Sequence, residues 1–73
     1  MSSKLPALTA RQVLAILSRH GFQPVRQSGS HVVLSHPDGR FATVPVHKGR
    51  DLGKGLLRRI MRDANLTVDD LLH

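Results

Sequence analysis

Residues 30–46 read SHVVLSHPDGRFATVPV, and the predicted arrangement of strands and helices is built around them. Two runs rich in β-branched residues flank the sequence HPDGR at positions 36–40. In a turn of this composition, proline fixes one backbone dihedral, aspartate bonds to nearby backbone, and glycine accepts a positive φ. The pattern predicts a β-hairpin whose strands are residues 30–35 and 40–46.

A helix is predicted ahead of the hairpin, over residues 9–20. Thr9 and Gln12 have the T-x-x-Q spacing of a capping box, and apolar residues then recur at helical spacing. Gly21 is suited to the left-handed conformation that ends a helix, and Phe22 is suited to the hydrophobic contact that accompanies it.

A second helix is predicted after the hairpin, over residues 54–64. Its apolar residues occupy one arc, and its cations fall on or toward the opposite side: Lys54, Arg58, Arg59 and Arg62. Asn65 is suited to end this helix, and Thr67 with Asp70 offers a capping box for a short last helix over residues 68–72.

These elements combine into one domain of the α+β class. Residues 23–27 supply a third strand, which the turn at residues 28–30 separates from the hairpin, so the order is α-β-β-β-α with a short C-terminal helix. Two helices on one face of a three-stranded antiparallel sheet bury both apolar stripes and leave the other face open. We expect a single domain over residues 1–73, with residues 1–7 as a flexible N-terminal tail.

Composition narrows the classes of partner. Eleven Lys and Arg against five Asp and no Glu give a net charge of +6 and a pI near 11.5. This balance predicts an anionic partner, either a nucleic acid or an acidic protein.

The chain has no cysteine and no apolar run long enough to span a bilayer, and residues 1–6 lack the apolar core of a signal peptide. We therefore expect a soluble cytoplasmic protein with no membrane partner. With two Phe and no Tyr or Trp, recognition of RNA should depend on backbone and shape rather than on base stacking.

His31 is the candidate catalytic residue. Strand alternation directs Val32 and Leu34 toward the helices and His31 toward the open face, beside the small residues Gly29 and Ser30. Imidazole takes and returns protons near neutral pH, and RNA cleavage needs a base for the 2′-hydroxyl and an acid for the departing 5′-oxygen.

The remaining histidines have weaker claims. His20 is expected to be structural, at the end of a helix where a cation suits the dipole. His36 and His47 are either candidates for a second proton-transfer or phosphate-binding role, or ordinary surface residues. His31, His36 and His47 lie on different elements and no cysteine joins them, so we expect neither a metal site nor a cofactor.

The segment before the second helix is a candidate anion site. Lys48, Arg50 and Lys54 are interleaved with glycines at a helix N-terminus, where free amides and the helix dipole favour a phosphate. The segment lacks the P-loop pattern. We therefore assign Lys48, Arg50 and Lys54, together with Gly29 and Ser30, to binding of the RNA backbone.

Five motifs in this order resemble the HicA (YcfA-like) toxins, over nearly the whole chain from Leu8 to Leu72. They are VRQxGSH at 25–31, HPDGR at 36–40, TVPVHKG at 43–49, KGxLRxI at 54–60 and NLTVDDLL at 65–72. Gly53 and Leu56 differ from the family pattern, which often has Pro and Thr there.

The resemblance implies a fold like that of double-stranded-RNA-binding domains and a translation-independent mRNA interferase, an endoribonuclease. It implies that His31, as the histidine of GSH, is catalytic, and that a HicB antitoxin covers the active face and holds the toxin inactive. Two alternatives remain: a non-catalytic RNA-binding module of the same fold, and a DNA-binding regulator. The second ranks last because strands separate the two long helices.

Overall fold

The computed structural model describes residues 5–47 and 49–72, and its architecture is the predicted one. The elements, in chain order, are α1 (Ala10–Arg19), β1 (Gln23–Ser28), β2 (His31–Ser35), β3 (Phe41–Pro45), α2 (Lys54–Ala64) and α3 (Val68–Leu72). The three strands form one antiparallel sheet in the order β1-β2-β3. The α+β prediction is confirmed. Most of the proposed N-terminal tail lies outside the described residues, and Leu5 packs against the core.

The pairing of β2 with β3 sorts the side chains of the sheet onto two faces. Val32 pairs with Val44 and Leu34 with Ala42, and all four are buried. Both α1 and α2 pack against β3 and cover this face. The residues between them in sequence face the other way, which leaves that side of the sheet open.

Strand β1 is an edge strand, and every one of its residues is exposed. Its pairing with β2 shifts between Pro24 and Arg26. Proline, a local irregularity and a charged residue all discourage an edge strand from pairing with another chain.

The helix caps form as the sequence predicts. At the start of α1 the Thr9 hydroxyl accepts the Gln12 N–H at 3.3 Å, and the Gln12 side chain accepts the Thr9 N–H at 2.9 Å. At its end Gly21 has a φ of +93°, and the Phe22 N–H donates to the Leu17 carbonyl at 3.0 Å. Together with the Gly21 N–H, which donates to Ser18, this is the hydrogen-bond pattern of a Schellman motif.

The end of α2 repeats this pattern with asparagine in place of glycine. Asn65 has a φ of +55°, and the Leu66 N–H donates to the Met61 carbonyl at 2.8 Å. The capping box of α3 follows directly: the Thr67 N–H donates to an Asp70 carboxylate oxygen at 2.8 Å. Hydrogen bonds from Thr67 hold the pKa of Asp70 below its ordinary value.

The turn between β2 and β3 is anchored by its own side chains. Asp38 accepts the Arg40 Nε–H at 2.7 Å, and the Arg40 guanidinium also donates to the Ala64 carbonyl at the end of α2. The same guanidinium lies over the Phe22 ring, 5.1 Å from its centre, and the His36 ring meets Phe22 edge-on at 5.1 Å. Partial desolvation raises the pKa of Asp38, but the hydrogen bonds and charge of Arg40 lower it by more, so the carboxylate stays ionised and paired. One arginine thus joins the hairpin to the end of α2 and to Phe22, the core residue that follows α1.

No helix in residues 5–47 and 49–72 is long and apolar enough to cross a membrane.

The contacts of Arg40 predict a specific stability effect. We expect Arg40→Ala to lower the free energy of unfolding by about 1.5–3 kcal/mol, because it removes a charged hydrogen bond and leaves the part-buried Ala64 carbonyl without its partner. Arg58→Ala removes an exposed arginine from α2 and should change stability by less than about 0.5 kcal/mol. Urea denaturation followed by circular dichroism measures both. Equal stability of the two variants would show that the contacts of Arg40 contribute nothing to the free energy of unfolding.

Candidate active site

The backbone holds His31 at the first position of β2, immediately after a tight turn. Gly29 has a φ of +58°, and its carbonyl accepts the Gln27 side-chain amide at 3.2 Å. The Ser30 carbonyl accepts the Val46 N–H at 2.6 Å. The two residues that precede His31 are therefore fixed by hydrogen bonds, and Gly29 has a positive φ that few other residues adopt.

The His31 side chain is exposed on the open face of the sheet. It pairs with Pro45 of β3, so both point away from the buried face that carries Val32 and Val44. Among the described residues, none hydrogen-bonds to its imidazole. The sequence prediction for the face of His31 is confirmed, and the side chain is exposed to a ligand.

A groove of about 320 Å³ runs between this end of the sheet and α2; we call it the His31 groove. The sheet contributes His31, Thr43 and Pro45, and α2 contributes Leu56, Arg59, Ile60 and Asp63. The site therefore has two walls. The sequence predicted a site residue only in the wall that the sheet contributes, namely His31.

The residues from α2 have the spacing of a single helical face. Positions 56, 59, 60 and 63 follow the i, i+3, i+4, i+7 pattern. Arg59 and Asp63, both exposed, bring a guanidinium and a carboxylate to the groove that holds His31. The periodicity of α2 places Arg59 on or toward the side opposite the apolar arc. Nothing local in the sequence shows that α2 packs along β3 with Arg59 turned to the groove. Leu56, one of the two positions that differ from the family pattern, lines the groove too.

The other histidines are distributed elsewhere. His36 lies in the turn at the opposite end of β2, roughly 13 Å or more away at about 3.3 Å per residue, where its Nδ1 accepts the Asp38 N–H at 3.1 Å. His47 is exposed and lines a different groove, with Thr9 and Arg11. His20 caps the C-terminal end of α1, as expected of a structural residue. The described part of the chain brings no three His, Cys, Asp or Glu side chains together in an arrangement that could hold a metal ion.

The basic segment is adjacent in sequence to the groove but does not line it. Arg50 and Lys54 are exposed, and neither belongs to the groove wall. Gly53 caps the start of α2 without a side-chain hydrogen bond, so the first amides of that helix have no side-chain cap. Lys48 lies outside the described residues.

Comparison with known protein families tests the resemblance to the HicA toxins that the five sequence motifs indicate. A family model described as "HicA toxin of bacterial toxin-antitoxin" matches residues 10–66, well over half of the chain. The chain belongs to the HicA toxin family. A search of curated proteins finds no match. The range matched to the HicA family includes every residue of the His31 groove. As a HicA family member, the chain is the toxin of a toxin–antitoxin system, which implies a cognate antitoxin as its partner.

Proposed function

We propose that the chain is a metal-independent endoribonuclease that cleaves mRNA, with His31 as its catalytic residue. The observation that supports this most is the exposed imidazole of His31 in one groove with the Arg59 guanidinium. The reaction needs a proton acceptor, a proton donor and a cation that binds phosphate. In this groove His31 can accept or donate a proton, and Arg59 supplies the cation.

In the proposed reaction the RNA supplies its own nucleophile. The 2′-oxygen attacks the adjacent phosphorus, a bond from phosphorus to the 2′-oxygen forms, and the bond to the 5′-oxygen breaks. The products are a 2′,3′-cyclic phosphate and a free 5′-hydroxyl. His31 either takes the proton of the 2′-hydroxyl or supplies the proton to the leaving 5′-oxygen, since imidazole can do both near neutral pH.

Arg59 and Asp63 have distinct proposed roles. The guanidinium of Arg59 carries its donors in a rigid fork that suits phosphate, so it stabilises the negative charge that grows on the phosphate oxygens during attack. Asp63 makes no hydrogen bond to His31 in the structure, and its carboxylate is proposed to accept an imidazole N–H once RNA is bound and so to orient the ring. Asp63 is in this reading a positioning residue.

Binding of the RNA backbone outside the groove is assigned to Gly29, Ser30, Lys48, Arg50 and Lys54. The Gly29–Ser30 turn directly precedes His31, and Arg50 and Lys54 are exposed around the uncapped start of α2. Cations in this position gain affinity for any RNA sequence through release of counterions.

The antitoxin partner is proposed to be HicB-like and acidic, and to cover the face that carries His31. A net charge of +6 attracts an acidic inhibitor and speeds its encounter. A stable complex needs a buried area of roughly 1,200–2,000 Å² in total, which is enough to exclude RNA from the His31 groove.

The catalytic assignment predicts that His31→Ala abolishes both RNA cleavage and growth inhibition while the fold is kept, because the exposed ring contributes little to the core. Cleavage of a labelled transcript, growth after induced expression and circular dichroism measure these three properties. Retained cleavage by a folded His31→Ala protein would exclude His31 as the catalytic residue. RNA binding by the wild type without any cleavage would favour a non-catalytic binding module.

Two further variants serve as matched comparisons for His31→Ala. His47→Ala removes an exposed histidine from the same end of the sheet but from a different groove, and we expect it to cleave normally. Arg59→Gln removes the cation from the His31 groove, and we expect a lower kcat with the fold unchanged. Loss of cleavage in His47→Ala would mean that the second proton-transfer group is His47.

The backbone-binding assignment predicts a change in salt dependence. Replacing Lys48, Arg50 and Lys54 together with alanine should weaken binding of all RNA sequences alike. Loss of three phosphate contacts should reduce the slope of log affinity against log salt by about 2–3 units, at roughly 0.7–0.9 per contact. An unchanged slope would show that the phosphates bind elsewhere.

The antitoxin assignment predicts that binding of the partner protects residues 28–35 from amide hydrogen exchange. His31→Ala should still form the complex, because one imidazole is a small part of such an interface. The partner is obtained by co-expression with the gene adjacent to that of the toxin, followed by co-purification. Protection limited to the outer faces of the helices would rule out inhibition by direct occlusion.

A further inference from the structure

The open face of the sheet carries a second groove, of about 470 Å³, which we call the Phe41 groove. Its lining residues are Val25, Arg26, Val33, Phe41 and Thr43. Phe41 is 58% exposed and Val25 is 56% exposed, whereas the other phenylalanine of the chain, Phe22, is 1% exposed in the core. The exposed Phe41 ring and the exposed Val25 form one apolar surface patch with Val33, and contiguous apolar patches on a surface can mark binding sites.

The Phe41 groove shares a lining residue with the His31 groove. Thr43 lines both. In the β2–β3 register, His31 pairs with Pro45 and Ser35 pairs with Phe41, so the two side chains lie at opposite ends of the same face, roughly 13 Å apart at about 3.3 Å per residue. A single strand of RNA held at His31 can therefore continue across the sheet to Phe41.

We infer that the Phe41 groove binds a nucleobase of the RNA near the point of cleavage; this inference rests on the proposed function. The base stacks on the Phe41 ring, with Val25 and Val33 as apolar neighbours. The Arg26 guanidinium is available to an adjacent phosphate, and the Thr43 hydroxyl is available to the edge of the base. The shortage of aromatic residues predicts recognition of the RNA through its backbone and shape. The contact between Phe41 and a base is an addition to that mode of recognition.

The chemistry of the lining favours a nucleobase over a segment of protein. It combines one aromatic ring with one guanidinium and contains no carboxylate, and an aromatic ring beside cations is the usual platform for bases of single-stranded nucleic acid. Stacking tolerates all four bases, while a hydrogen bond from Thr43 could distinguish among them.

The test measures binding without cleavage, so its result does not depend on the role of His31. The probes are short single-stranded RNAs whose 2′-hydroxyls are methylated, with the fluorescent base 2-aminopurine at successive positions. We expect Phe41→Ala to weaken binding about 5- to 150-fold and Phe41→Trp to restore it. We also expect 2-aminopurine at one position to be quenched by the wild type and not by Phe41→Ala.

Two controls make the result specific. Leu72→Ala removes a residue of similar exposure, 59%, from α3 on the helical side, and should bind as the wild type does. An RNA that lacks the base at the quenched position should bind the wild type and Phe41→Ala equally well. Equal binding of intact RNA by these two proteins, or a loss that persists without the base, would overturn the inference. A Phe41→Ala variant that binds RNA normally but loses the antitoxin would assign this groove to the antitoxin instead.

Discussion

The register between β2 and β3 is the constraint on which the rest of the structure depends. Because side chains alternate along a strand, a slip of one residue would turn His31 into the core and expose Val32 and Leu34. The turn fixes this register through two backbone hydrogen bonds, His36 N–H to the Arg40 carbonyl and Gly39 N–H to the His36 carbonyl, each 2.9 Å long. The same two hydrogen bonds therefore help to determine which side chains of β2 and β3 are buried and which lie on the open face.

The side chains of that turn also hold α2 against the sheet. Arg40, just before β3, donates to the Ala64 carbonyl at the end of α2, and α2 residues from Leu56 to Asp63 line the groove. The helix is therefore fixed to the hairpin at its C-terminal end, one residue beyond Asp63 of the groove wall. This explains the HPDGR motif as a structural device, with His36 packed on Phe22 rather than available to RNA.

The sequence predicted every element because each has a local signal. Capping boxes mark the starts of α1 and α3, Gly21 and Asn65 mark the ends of the long helices, and alternation gives the face of His31. It could not predict Arg59 or Asp63 as neighbours of the site, because that requires knowing which edge of the sheet α2 packs against. Phe41 does not depend on α2, and strand alternation alone could have placed it on the open face, opposite Ser35. The spacing of residues 56, 59, 60 and 63 becomes informative only once this packing is known.

The two-walled groove has a consequence for the synthesis of the protein. His31 and its strands leave the ribosome before α2 does, so a nascent chain that has released only the sheet carries the imidazole without the guanidinium of Arg59 and without the helix that forms the second wall. Domains fold as units, and here the unit is complete only when α2 has docked. Under the proposed function, a chain that is still being synthesised therefore has no complete His31 groove with which to cleave RNA.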